Sequence, residues 1–471
     1  MTTPSERLQA VYKKQYEASR KHAYPSLQER KDNLEKLAQV IESNTDRICE
    51  AINKDFNGRS LDETKLLELV PLMGSIADAK KRLKKWAKPQ RRHVGLAFKG
   101  ASNKLIPQPK GVIGVVTPWN YPLFLALSPV VSAMAAGNRC IVKQAANSQN
   151  LCRLLDEIIS PVIDETVLAV IPGTSAREFS SMPWDHMVFT GSAATGKVVM
   201  EAASKNLTPV TLELGGKSPT ILAPDFDVRT AAERVTFTKF LNAGQTCVAP
   251  DYLFVPEGKV EEFVKHAKEI VSSRYDSVNN ADLTAIIDEA AFNRLSATID
   301  DAKEKGAEVV NLLQGDSLNA EGQKIAPHVI VNPTDDMIVM QDEIFGPLFP
   351  IKTYKSLDDV VEYINQRERP LALYMFTKDK QFQEKVFYST LSGAVCINDS
   401  MFHVAQHDMP FGGIGNSGMG HYHGLEGFRE FSKLRPVFKQ SGMTSKIILM
   451  LAPPYGGLFK NVVNLMLKLR L

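Results

Sequence analysis

Cysteine is scarce in this chain of 471 residues. Its five copies, Cys49, Cys140, Cys152, Cys247 and Cys396, lie far apart. No two have the spacing of metal ligands, and an odd, scattered set in so long a chain argues against a disulfide framework. A surplus of one charge is missing too. The 56 Lys and Arg against 53 Asp and Glu leave +3, too little to imply a nucleic acid or an anionic surface as partner. One basic run, KKRLKKWAKPQRRH, holds eight Lys or Arg from Lys80 to Arg92. It reads as a solvated helix face, so no nucleic-acid partner is expected. The opening MTTPSERLQAVYKKQ has no apolar core segment of the secretory kind, which makes a reducing, cytoplasmic setting the default expectation. No internal repeat is visible.

The chain is longer than one hydrophobic core usually serves, so two or three domains are expected. Ser26-x-x-Glu29 and Ser60-x-x-Glu63 both read as capping boxes ahead of amphipathic helices. After Pro109 the rhythm changes. Val112–Val116 is a short β-branched run, Tyr121–Ala136 is apolar at helical spacing, and Gly137-Asn138 closes that helix. Strands are expected at Cys140–Lys143, Val167–Ile171, Met187–Phe189 and Val210–Leu212, with Leu151–Ile159 helical. A second alternation runs from about Ser218 to Asn398. Its expected helices are Arg229–Leu241, Gly258–Ser273 and Leu357–Gln366, and its strands Leu253–Val255 and Val395–Asn398. Such alternation predicts an α/β fold with two doubly wound parallel sheets, whose ligands sit beyond the carboxyl ends of the strands.

From Lys446 onward there is no acidic residue. Leu458, Phe459, Val462, Leu465, Met466 and Leu469 share one helical face, with Lys460, Asn461, Asn464 and Lys468 elsewhere. The apolar run Ile447–Phe459 contains Pro453, Pro454 and two glycines and is too short to span a bilayer. The tail therefore either packs on the body or lies in a membrane interface, a peripheral contact for which its basic amphipathic character is suited.

Polar residues stand where strands should end. TPWNYP, Thr117–Pro122, places Asn120 to aim its amide into a crevice or to cap the next helix. In FTGSAATGKV, Gly191 to Lys197 spells G-x-x-x-x-G-K, but Val198 replaces the Ser or Thr of a nucleotide-triphosphate loop. A helix start at Gly191 and Ser192 can still receive a diphosphate. VTLELGGKSP puts Glu213 at a strand end, either salt-bridged or a base raised by dry surroundings. QDEIFGP sets Glu343 and Phe345 about Ile344, and NAGQTCVAPD sets Cys247 behind a glycine and a polar turn. Alone, that cysteine reads first as a buried small apolar residue and only second as a nucleophile at the head of a helix.

Taken in order, TPWN, FTGS, ELGGKSP, GQTC, DEIFGP and PFGGIGNSG resemble the NAD(P)-dependent aldehyde dehydrogenase superfamily. The resemblance covers about Leu27 to Lys439, and the 34 positions from Glu213 to Cys247 fit it. PLALYMF and GMGHYHGLEGF resemble the class 3-like branch, and within it the coniferyl aldehyde dehydrogenases, with fatty aldehyde dehydrogenases next.

The resemblance implies that Cys247 is a nucleophile whose thiolate adds to an aldehyde carbonyl. The oxyanion would face the Asn120 amide and the Cys247 N–H. Hydride transfer would leave a thioester, and water activated by Glu213 would release the acid. NAD or NADP would contact Lys143, Gly191, Ser192, Trp119, Glu343 and Phe345, while Tyr121 and Thr246 would line an apolar substrate tunnel. Aromatic aldehydes such as coniferyl aldehyde, or aliphatic ones, suit that lining.

Ala146 stands where many relatives carry a glutamate on the adenosine ribose. Removing a buried like charge would let NADP be accepted at least as readily as by a glutamate-bearing relative. The resemblance also divides the chain: 1–90 with 108–214 as cofactor domain, 215–405 as catalytic domain, 91–107 with 406–442 as a bridging β element that builds a homodimer, and 443–471 as the tail. Rival readings are a thioester passed to coenzyme A, which an intact Glu213 disfavours, and a cysteine hydrolase with a histidine base. His421 and His423, two apart, make no metal-ligand set, so no metal is expected.

Overall fold

A computed structural model describes residues 3–442, 449 and 451–470. Its first sheet has six strands, in the order Gly418–Met419, Val210–Leu214, His186–Gly191, Val112–Val116, Arg139–Lys143, Leu168–Val170. All pairings are parallel except the outermost, where Gly418 lies antiparallel opposite Glu213. The chain runs outward from Val112–Val116 in one direction and then returns to build the other side. The point where it reverses, between Val112–Val116 and His186–Gly191, opens a crevice at the carboxyl ends of both.

The five residues of Val112–Val116 are all buried, so sheet and helices cover the strand from both faces. Helix Phe124–Ala136 is buried along its whole length, as expected for a helix apolar all round. Gly137, at φ 94°, closes it in the left-handed region.

The second sheet has seven strands in the order Glu308–Asn311, His328–Val331, Leu348–Tyr354, Tyr252–Pro256, Pro219–Leu222, Ala372–Phe376, Ala394–Ile397. Only Glu308–Asn311 is antiparallel to its neighbour. Separate apolar clusters cover its two faces, one around Ile330, Leu348 and Met375, the other around Leu253, Phe349 and Phe376. The α/β class and the two largely parallel sheets are as expected. The two antiparallel edges were not, because each edge strand is too short to show a period.

A third sheet joins Gln90–Arg92, Ser102–Pro109 and Ser432–Lys439, all antiparallel. It uses the stretches expected to bridge subunits, and Phe98, in the turn between its first two strands, stands exposed with Phe438, their ring centroids 5.6 Å apart.

At the amino end the helix Pro4–Lys21, with a Thr3/Glu6 capping box, was not anticipated. Ser26 and Glu29 form the expected box. Ser60 accepts from the Glu63 N–H, but the Glu63 carboxylate does not return the bond. It accepts instead from Asn242 N (2.6 Å) and from the Thr284 hydroxyl. That second capping box is therefore half a box, its carboxylate drawn off to a distant loop.

The tail ends in helix Gly457–Leu469. Phe459, Val462, Val463 and Met466 are half-buried, and Leu458, Leu465 and Leu467 are exposed. Lys446, Ile447 and the side chain of Leu469 lie outside the described residues. Among the described residues no helix is long and apolar enough to cross a membrane.

Candidate active site

Two cavities meet at Cys247. One, of about 220 Å³, is lined by Trp119, Asn120, Thr190, Gly191, Ser192, Glu213, Gly215, Cys247, Glu343 and Phe345, with Pro118 and Leu214. It lies in the crevice where the first sheet reverses. The other, of about 380 Å³, is walled mostly by apolar side chains, among them Leu66, Val70, Phe124, Phe237, Met401, Phe402 and Phe411. Tyr121, Thr246 and Cys247 form its inner end. The half-buried Cys247 lines both cavities, so its thiol is reachable from either direction.

Most of the expected site residues come together here. Trp119, Asn120, Gly191, Ser192, Glu213, Glu343 and Phe345 share the first cavity with Cys247, and Tyr121 and Thr246 share the second. Lys143 does not line either. It ends the strand next to Val112–Val116, is largely buried, and its carbonyl accepts from Thr117 N at 3.0 Å. Burial lowers the pKa of its ammonium.

Each side chain is fixed by local structure. Asn120 follows the buried Val112–Val116 strand, and its Nδ2 donates to the Gln245 carbonyl at 3.2 Å. An amide has two N–H donors, so one is committed and one remains. Ser192 caps the helix Ala193–Ser204 through Thr195 N. Gly191 has the Phe189 ring where a side chain would begin, and Gly215 has the Glu343 carboxylate there, so a Cβ at either would have to displace that side chain. Trp119 and Phe345 meet edge-on at 5.4 Å. Phe345 holds φ 46°, a left-handed conformation unusual for an aromatic residue.

The turn ahead of Cys247 is equally unusual. Asn242 and Ala243 take φ of 53° and 52°, and Gly244 takes 74°. Alanine in that region costs about 1–2 kcal/mol, so the surroundings must over-determine it. They do: Asn242 N donates to Glu63, Asn242 Nδ2 donates to the Asn120 and Gln245 carbonyls at 3.1 Å, and Gln245 Nε2 bonds Asn242 and Ala285 carbonyls at 3.0 Å. Gly244 lies against the Gly346 carbonyl with no room for a side chain. At the tunnel end Tyr121 Oη and Thr246 Oγ1 are 2.6 Å apart.

The electrostatics bear on the charge of the thiol. Nucleophilic addition needs a charged thiol, yet burial, reinforced by Glu343 and Glu213, pushes the Cys247 thiol up to about 12. The N–H groups of Cys247 and Val248 oppose this only partly. Without a partner cation the sulfur is therefore protonated at neutral pH.

Glu213 is held well above the usual carboxylate range, first by burial and then by Glu430, and neither of its oxygens has a hydrogen-bond partner. Burial raises Glu343 to about 8 against a Gly216 N–H bond, and its Oε1 is likewise unpartnered. Three acids in one dry pocket are all shifted upward for the same reason.

Sequence reasoning missed the supports: Glu63, Arg59, Glu68, Asn242 and Gln245. Arg59 and Glu68 sit in an ordinary-looking amphipathic stretch, and the one available signal was the polar Asn and Gln within an otherwise small-residue turn. His423 is buried beside Phe411 and Tyr422, and His421 is exposed. The histidine among the lining residues is His407, at the apolar cavity, 3.4 Å from Ser75 Oγ.

Comparison with known proteins agrees with this geometry. The aldehyde dehydrogenase family profile matches residues 2–437. A probable coniferyl aldehyde dehydrogenase of Pseudomonas aeruginosa is 47% identical over 98% of this chain and 96% of its own. The dimeric NADP-preferring aldehyde dehydrogenase of Rattus norvegicus is 36% identical over 88% of this chain and 91% of its own. The substrate-bound structure of Staphylococcus aureus AldH superimposes with a TM-score of 0.90 at 32% identity, covering 98% of this chain and 99% of that one. This chain belongs to the aldehyde dehydrogenase family and is an NAD(P)-dependent oxidoreductase acting on aldehydes.

Proposed function

We propose that the enzyme oxidises apolar aldehydes, aromatic ones of the coniferyl type foremost, to carboxylic acids through a Cys247 thiohemiacetal and thioester. The observation that carries this reading is the position of Cys247 between a polar and an apolar cavity. The name of the Pseudomonas aeruginosa relative supports the aromatic class, and so do the Phe124, Phe237, Phe402 and Phe411 walls of the tunnel.

The polar cavity fits a dinucleotide. Glu343 Oε1 is a buried acceptor without a donor, which ribose hydroxyls would satisfy. Gly191 and Ser192 open a helix, where a diphosphate is favoured. Lys143 would hold the adenosine ribose, and Trp119 and Phe345 would flank the nicotinamide. When bound, NAD(P) would supply the two-electron acceptor and a positive ring charge.

The chain's own groups do the rest. The Cys247 thiol passes its proton to an ionised Glu213, which sheds it to solvent before its second use, and the thiolate adds to the aldehyde carbon. The remaining Asn120 N–H and the Cys247 N–H stabilise the oxyanion. After oxidation the carbon is a thioester. Glu213, ionised again, takes a proton from the water that attacks it; the C–S bond breaks, that proton passes to the leaving Cys247 sulfur, and the acid departs and ionises in solvent.

Growth of the reduced-nicotinamide absorbance across a panel of aromatic and alkyl aldehydes tests this. Signal is expected for aromatic members and lost in Cys247→Ala. Turnover that survives Cys247→Ala would sink the mechanism, and an alkyl-only panel response would sink the substrate class.

The same reading divides the chain into cofactor (1–90, 108–214), catalytic (215–405), bridging (91–107, 406–442) and tail (443–471) parts. The exposed Phe98 and Phe438 beside the third sheet support a homodimer, which sedimentation would check. Exposed Leu458, Leu465 and Leu467 beside Lys460 and Lys468 support peripheral lipid contact, to be read by co-sedimentation with anionic vesicles.

A further inference from the structure

We propose that the buried Arg59–Glu68 ion pair is a positioning device that sets where the Asn120 amide meets the substrate oxygen. The inference rests on the reading of Asn120 as oxyanion donor.

Both side chains are 0% exposed and their contact is 2.7 Å, Arg59 Nη1 to Glu68 Oε1. The same Nη1 donates to the Asn120 backbone carbonyl at 3.2 Å. Glu68 Oε2 accepts from Leu123 N (2.7 Å) and Phe124 N (3.0 Å). The pair therefore grips the Asn120–Phe124 turn at both ends.

The guanidinium also lies over the Tyr121 ring at 5.1 Å and the Phe56 ring at 5.0 Å. Tyr121, bonded to Thr246, is the next residue in the chain after Asn120. Burial pushes the Glu68 carboxyl up, and Arg59 with the two N–H groups pulls it back.

Two features indicate more than packing. Glu68 belongs to Lys65–Leu69, a single π-helical stretch between Leu61–Thr64 and Val70–Trp86. Such bulges re-aim side chains and cluster at functional sites. Arg59 also keeps Nε and Nη2 buried without partners, an arrangement that a purely structural pair would be poorly chosen to make, since well-packed apolar residues do as well or better.

Stopped-flow bursts of reduced cofactor with benzaldehyde and NAD test the proposal, using Arg59→Lys, Asn120→Ala and their double mutant. Arg59→Lys keeps the charge but loses the planar fork. Its burst rate is expected to fall about tenfold to a hundredfold, with the cofactor KM unchanged. Asn120→Ala should then add less in the Arg59→Lys background than in the wild type, because the donor is already misplaced. Glu68→Gln, which keeps an acceptor for Leu123 and Phe124, enters the same cycle should Arg59→Lys fold poorly. Multiplicative effects, or a lowered melting temperature with an unchanged burst rate, would overturn the proposal. A burst rate indifferent to Asn120→Ala alone would instead remove the oxyanion reading beneath it.

Discussion

The two cavities that meet at Cys247 are built by different means. The polar one is made of turns at strand ends: Trp119 and Asn120 after Val112–Val116, Gly191 and Ser192 after His186–Gly191 begins to turn, Glu213 at the end of Val210–Leu214. The apolar one is made of side chains from surfaces far apart in sequence, such as Leu66 and Val70, Phe237, and Met401 with Phe402. Strand-end turns carry chemistry in fixed short motifs, whereas a tunnel wall needs only bulk and can be supplied from anywhere. Changes to the first should therefore act on the bond-making steps and changes to the second on substrate choice.

The largest break in that contrast is expected from Glu213→Gln. Steady-state turnover should fall about 10²–10⁴-fold, the usual worth of a positioned base, while single-turnover kinetics separate the thiol's deprotonation from thioester hydrolysis. A retained burst assigns Glu213 to the water step alone. Next comes Phe402→Ala on the apolar side. Phe402 stacks with Phe237 at 6.5 Å, and losing that wall should raise the KM of an aromatic aldehyde about tenfold, a loss of roughly 1.4 kcal/mol. The KM for NAD should not move; a matching change in it would erase the distinction between the cavities.

A smaller effect is expected at the ribose end. Ala146 is exposed, so the like-charge repulsion it lacks would be largely screened by water, unlike the buried charge inferred from sequence. Ala146→Glu should lower the NADP-to-NAD ratio of kcat/KM by less than about tenfold. The smallest is a stability effect. Glu343 titrates near 8 folded against about 4.3 unfolded. Because the folded state holds the proton, its contribution is full below the unfolded value and is lost as pH rises through about 8. Melting curves of the cofactor-free protein should fall less steeply with pH in Glu343→Gln.

What the sequence made legible follows the same division. Val112–Val116 was readable because it is short, β-branched and closed by turn residues, and the motifs of the polar cavity because each sits where a strand stops. The helices Gln149–Ile159 and Leu357–Asn365 appeared within two residues of their ends. The left-handed Asn242–Ala243 pair was not readable, since its cause is Glu63, far away in the chain. Nor was the Arg59–Glu68 pair, which as sequence is indistinguishable from solvent-facing charges nine apart. The raised thiol escaped as well, because burial is a property of three dimensions.

The short strand Gly418–Met419 is the only neighbour of Val210–Leu214 on its open side among the described residues. Gly418 stands opposite Glu213, with the Leu212 carbonyl where a side chain would start. A chain shortened beyond Lys439 keeps that cover, but one cut ahead of Gly418 leaves the carboxylate-bearing strand as a bare edge open to water. The cover over the strand that carries Glu213 thus comes from a segment more than two hundred residues downstream, and any shortened version of this enzyme has to retain it.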